Sequence, residues 1–174
     1  MVKDFLDEYR RYRHVGERAL EQLSDPALNH VSAPDGNSAA MLVRHVSGNL
    51  KSRFTDFLTS DGEKSWRDRD AEFAERAYSR SEVEQMWGAG WAALEHTLAE
   101  LTDADLSRQV VIRGQGLSVH AALCRSLSHA SYHVGQLVLL ARQSAEARWR
   151  WISIPKGESG EYNTNPHLEK GPVQ

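Results

Sequence analysis

His129 and His133 stand four residues apart in a stretch of helical periodicity, so both imidazoles lie on one face with Cβ atoms roughly 5–6 Å apart. Two imidazoles at that separation can converge on one ion; zinc, for example, takes an imidazole nitrogen at about 2.0–2.1 Å. His133 shares a stripe with Ala122, Ser126, Ala130 and Leu137, which turns it toward a helical interior. His120 is nine residues from His129, nearly the opposite side of a helix at about 100° per residue, and reads as a surface residue. Cys124 also points away from the His129 direction and reads as a buried apolar filler. His14, His30, His96 and His167 have no partner at ligand spacing and read as surface or loop residues.

A third ligand has to come from another helix, because metal sites in helical bundles draw on facing helices. His45 is the best candidate: its stripe, Leu42, His45, Asn49 and Arg53, carries polar groups along a helix that otherwise buries apolar ones. Three histidines leave positions open for water or substrate, as catalytic sites do. The competing reading is three separate histidines, each satisfied by one hydrogen bond. His129-Ala130-Ser131-Tyr132-His133 has no glutamate after its first histidine, so the zinc-protease helix motif and its general base are absent.

Four helical stretches must position these residues. The first spans about Lys3 to Leu23 and is stopped by Asp25-Pro26. The second starts at Asn37 or Ser38, both good N-caps, and ends near Thr59. A charged, irregular run from about Ser60 to Arg80 is too long for a tight turn and predicts a crossover over the end of a bundle. The third helix is expected to open on a capping box of Ser81 and Glu84 and to bury Trp87 and Trp91. Gln109 to Ile112 is β-branched and predicts a small hairpin around Gly114-Gln115-Gly116. Ser118 then caps a fourth helix that runs to about Arg142. From Trp149 onward the periodicity is lost, yet Trp149, Trp151, Ile152 and Ile154 form an apolar cluster too large to be left exposed. The non-helical segment 149–174 is therefore expected to pack, as far as about Tyr162, on the bundle or on a partner chain. Trp66, in the polar crossover, is a candidate wall of a substrate pocket.

At 174 residues the chain fits a single domain, 1–174. A net charge of −3 gives no reason to expect nucleic acid. Clusters such as Arg10-Arg11-Tyr12-Arg13 alternate with acids and read as a solvated helix face. No apolar run approaches the roughly 20 residues that span a bilayer, and no signal peptide is evident. One cysteine rules out an internal disulfide framework, and the cytoplasm is the expected compartment.

With His45 on helix two, His129-x-x-x-His133 followed by Gly135-Gln136 on helix four, and the crossover between helices two and three, the chain resembles the DinB/YfiT-like metalloprotein superfamily. Arg53-Phe-Thr-Asp-Phe-Leu-Thr-Ser-Asp-Gly-Glu-Lys, Arg69-Asp-Ala-Glu-Phe73 and Ile154-Pro-Lys-Gly-Glu-Ser159 are similar to its DUF1572 branch. The resemblance implies an all-α, four-helix bundle of down-up-up-down topology, usually a homodimer, with zinc or nickel on His45, His129 and His133. It also implies the activities found in that superfamily, thiol-dependent S-transfer and isomerisation, without assigning one to this branch. A metal-dependent transferase using a low-molecular-weight thiol is the expected function. A metal-dependent hydrolase or a non-catalytic metal-binding stress-response protein are the alternatives. Asn49, Arg53, Tyr132 and Gln136 are the candidate substrate-binding residues: Arg53 to grip a carboxylate or else to pair with Asp56, Asp61 or Asp70, Tyr132 and Gln136 to orient the imidazoles.

Overall fold

The structure, a computed structural model, describes residues 1–145 and 148–169. It is mostly helical, with four long helices, α1 (Val2–Leu20), α3 (Ala39–Phe54), α4 (Arg80–Glu100) and α5 (Val119–Ala145). Short helices α2 (Asp25–Asn29) and α6 (Ser159–Tyr162) and a two-stranded antiparallel sheet complete it. The most extensive pairings are α3 with α4 and α1 with α5; α3 also meets α5, and α1 meets α4. Each long helix thus has two long neighbours, and their apolar stripes share one core. Trp91 and Tyr9 are fully buried in it, their rings edge-on at 6.4 Å. Among the described residues, no helix is long and apolar enough to cross a membrane.

Local chemistry sets the helix ends. Ser38 caps α3 by accepting from the Met41 N–H, and Ser118 accepts from the Ala121 N–H at the start of α5. Three ends differ from the sequence expectation. Asp25-Pro26 does not merely stop α1; behind the Ser24 cap it opens α2, because proline is well suited to a first helical turn. The second long helix stops at Phe54 rather than near Thr59, where the chain turns through Asp56 with φ 48°. The capping box of α4 uses Ser79 and Glu82, two residues earlier than Ser81 and Glu84, which satisfy the same spacing.

The hairpin forms as the β-branched run suggests: β1 (Gln109–Ile112) pairs with β2 (Gln115–Ser118), Ile112 opposite Gln115. Its two-residue turn puts Arg113 and Gly114 at φ 54° and 72°, the left-handed pair that suits strand twist. Asp61 holds that turn, its carboxylate accepting from the N–H groups of Arg113 and Gly114, each at 2.8 Å. The segment 55–79 between α3 and α4 is thereby stitched to the hairpin. The rest of that segment folds over α3 through a single 3-10 turn, Ala71–Phe73.

Beyond α5 the chain returns along α1. Ile152 is buried, Arg18 and Gln22 donate to the carbonyls of Trp151 and Arg150, and Arg142 lies over the rings of Trp149 and Trp151. The segment is not wholly non-helical: α6 and a 3-10 turn at His167–Glu169 interrupt it. The part of the 149–174 expectation that falls on 170–174 lies outside the described residues.

Candidate metal centre

α3 and α5 face each other across the cluster they build. His45 projects from the middle of α3 and is 3 % exposed; His133, on α5, is 8 % exposed. His129 lies one turn before His133, partly open to a cavity. The Nε2 atoms of His45 and His129 are 3.1 Å apart, and those of His133 and His129 are 3.2 Å apart. One nitrogen from each ring falls within 4.8 Å of the other two, and the three could hold a single metal ion.

Their outward nitrogens decide what the inward ones can do. His45 Nδ1 is 2.8 Å from a carboxylate oxygen of Glu72. Burial drives the Glu72 carboxyl upward, but the hydrogen bonds from Arg67 and His45, with their charge interactions, outweigh it and hold the group below its ordinary value. Glu72 is therefore ionised and only accepts, so Nδ1 of His45 is the donor, and in the neutral imidazole, the form that ligates metal, Nε2 is left with the lone pair. On α5, His133 Nδ1 donates to Gln136 Oε1 at 2.8 Å, again leaving Nε2 as a lone pair. Burial, and then the neighbouring imidazoles, push His129 down to about 3; burial also lowers His133. Near pH 7 both rings are neutral, the form that ligates metal.

Two inward acceptors, with a third imidazole between them, cannot satisfy one another. His129 Nε2 has one proton to give and two lone pairs to face. A cation satisfies all three, so this donor set fits a divalent ion. Each of the two fixed imidazoles also has the outer acceptor that metal-ligating histidines almost always have.

Glu72 and Arg67 carry this arrangement, and sequence reasoning missed both. Arg67 grips Glu72 through two parallel bonds of 2.8 Å, with side chains 2 % and 6 % exposed. Phe73 packs its ring 4.7 Å from that of His45. Gly48, one turn below the histidine side of α3, leaves room for the acid: a Cβ there would lie 2.1 Å from Glu72 Oε1. Arg69-Asp-Ala-Glu-Phe73 was available as a signal, but a glutamate in an irregular charged run reads as solvated without a fold.

The remaining expectations divide. Asn49, Arg53, Tyr132 and Gln136 all line the same cavity as the histidines, which has a volume of about 450 Å³. Arg53 donates there to the Gly62 carbonyl and to Glu63, at 3.3 Å, and not to Asp56, Asp61 or Asp70. Tyr132 is exposed at the cavity, its ring edge-on to His133 at 5.0 Å and its hydroxyl accepting from Gln136. Trp66 is 55 % exposed and lies outside the cavity wall. Cys124 is exposed rather than a core filler, with Sγ 3.9 Å from His120 Nδ1; residues four apart on the outer face of α5 meet there. His14, His30, His96, His120 and His167 are exposed, as their isolation suggests.

The family model described as a protein of unknown function, DUF1572, matches residues 1–158. No curated protein matches the chain. Among solved structures, a conserved protein from Enterococcus faecalis is similar in fold, with a TM-score of 0.64 and 18% identity, over 83% of this chain and 96% of that one.

Proposed function

The chain belongs to the DUF1572 family, and we propose that it is a DinB/YfiT-like metalloprotein holding one zinc or nickel ion on His45, His129 and His133. In this reading the four long helices form a down-up-up-down bundle. Its support is the ring of pairings α1–α5–α3–α4 and the segment 55–79, long enough to carry the chain back along the length of a helix as a parallel α3–α4 pair requires. The observation that carries the metal is the pattern of outer contacts: Nδ1 of His45 and of His133 both face acceptors, so their Nε2 atoms converge on His129 Nε2, which has a proton for only one of them.

We further propose that the protein is a transferase acting with a low-molecular-weight thiol, and a homodimer. A divalent ion at such a site supplies a Lewis acid that lowers the pKa of a bound thiol toward its nucleophilic thiolate form. The chain's own part is positional. Glu72 and Gln136 fix the imidazoles, Asn49 lines the wall one turn past His45, and Tyr132 stands at the exposed side of the cavity. Hydrolysis is the weaker reading, because the one acid touching the three histidines among the described residues, Glu72, is already engaged by Arg67 and His45 and is not free to serve as a base.

The test is conjugation of a small thiol such as glutathione or cysteine to a chloronitrobenzene by zinc- or nickel-loaded protein. Sulfur displaces chloride, an S–C bond replacing C–Cl, and the thiol proton passes to solvent. Turnover should exceed that of chelator-treated protein. Metal-loaded protein that gives no thiol-dependent turnover with any such thiol would sink the transferase reading and leave the metal centre standing.

A further inference from the structure

The wall of the histidine cavity is unusual for a chain of net charge −3. Among the described residues, five arginines line it, Arg53, Arg67, Arg69, Arg113 and Arg125, and no aspartate or glutamate does. Their charge is only partly met from behind. Arg53 and Arg113 share one carboxylate, that of Glu63. Arg67 places Nε and Nη2 on Glu72, but its Nη1 is buried with no acceptor. Arg69 lies over the Phe73 ring at 5.3 Å, and its nearest acid is Asp70 at 3.8 Å, whose side chain is 99% exposed. Arg125 is exposed and, among the described residues, has neither a hydrogen bond nor an ion pair.

These groups bracket the histidines. Arg125 precedes His129 by one turn on α5, and Arg69 reaches the cavity from the segment whose Phe73 packs on His45. Phe54, Phe57 and Ile112 provide an apolar wall between them. Low-dielectric walls carrying one sign of charge concentrate counter-ions, and a guanidinium offers a planar fork that matches a carboxylate or phosphate. A volume of about 450 Å³ suits a small molecule.

We infer that the substrate of this cavity is a small organic anion, its oxyanion group, carboxylate or phosphate, held by Arg125 and Arg69 while the remainder reaches toward His129. This deepens the proposed function and rests on the histidine cavity being the substrate site. It also moves the anion-gripping role from Arg53, which is engaged by Gly62 and Glu63, to Arg125, without a hydrogen bond or ion pair among the described residues, and Arg69, paired at 3.8 Å with the exposed Asp70.

Calorimetric titration of the full chain tests it, with glutarate, inorganic phosphate and the neutral glutaramide as probes, on chelator-treated and on zinc-equilibrated protein. At least one of the two anions should bind, about tenfold or more tighter than glutaramide, and more weakly as salt is raised. Whichever anion binds more tightly identifies the oxyanion. Arg125→Ala and Arg69→Ala, both at exposed side chains, should each weaken it by about tenfold with zinc content unchanged. Arg11→Ala, an exposed arginine of α1 outside the cavity wall, should not. Anion binding no tighter than that of glutaramide, or an Arg69→Ala/Arg125→Ala double variant that binds like the parent, overturns the inference. Zinc bound at one site without any preference for anions refutes this inference alone; anion binding without zinc uptake refutes the metal centre alone.

Discussion

At the scale of single residues the centre is set as much by what lies behind the imidazoles as by the imidazoles. Glu72 keeps the His45 proton on Nδ1, and Gln136 does the same for His133, so both rings turn a lone pair inward. Removing such an outer acceptor typically lowers metal affinity by about 10- to 100-fold. Glu72→Ala, which leaves no acceptor behind His45, should therefore retain the helical fold yet bind zinc more weakly by that factor, read by competition with a chromogenic chelator. It also leaves the buried Arg67 guanidinium without its counter-ion, so a lower melting temperature is expected beside the affinity loss. Unchanged zinc affinity in Glu72→Ala would mean that the acid serves Arg67 only. The histidines themselves were legible in the sequence because helical phase is regular: four residues bring His129 and His133 together, and nine carry His120 away. Glu72 was not, because its segment has no period from which to read a direction. Cys124 shows the limit of the same phase reasoning: its direction off the His129 face leads out to solvent, not into the core.

At the scale of elements, two glycines of similar crowding do different work. A Cβ at Gly90 would lie 2.6 Å from the Ser47 Cα, backbone that cannot yield unless α3 and α4 separate. Gly90→Ala should destabilise the fold by about 1–3 kcal/mol, measured by denaturant unfolding. At Gly48 the obstacle is instead the Glu72 carboxylate. Gly48→Ala is expected to cost mainly zinc affinity, because the side chain that must move is the one that orients His45. The crossover and the hairpin are coupled through Asp61, whose carboxyl is held below its ordinary value by backbone N–H groups of Glu63, Gly114 and Arg113. A carboxylate depressed in the folded state stabilises it fully above the unfolded pKa of about 3.9, and that contribution is lost as pH falls through the folded value. The melting-temperature gap between the parent and Asp61→Ala should thus hold steady from about pH 7 to 5 and narrow below about 4. A gap that stays constant down to the acid limit would show that Asp61 acts without its charge. Turn chemistry made this hairpin visible in advance. The two-residue shift in the α4 cap shows the reverse, since Ser79/Glu82 and Ser81/Glu84 satisfy the same spacing and only packing chooses between them.

At the scale of the molecule, four long helices pair in a ring, the segment 55–79 closes over α3, and the chain after α5 returns against α1. Apolar periodicity foretold the four helices and their buried faces, Trp87 and Trp91 included. The cavity could not be read that way, since it depends on which irregular residues the crossover and the hairpin bring to its rim: Arg67, Arg69 and Arg113 instead of Trp66. Everything in that architecture converges on one place, where α3 and α5 bring three imidazole nitrogens within 4.8 Å of one another. The most direct measurement is the metal content of the purified chain by mass spectrometry, after equilibration with zinc or nickel and removal of free ion, beside His129→Ala prepared in the same way. The account predicts about one ion per parent chain and near-complete loss in the variant, with helical circular dichroism unchanged, as a three-ligand site deprived of one ligand requires. A parent chain that retains no metal, or a variant that retains as much as the parent, would contradict it.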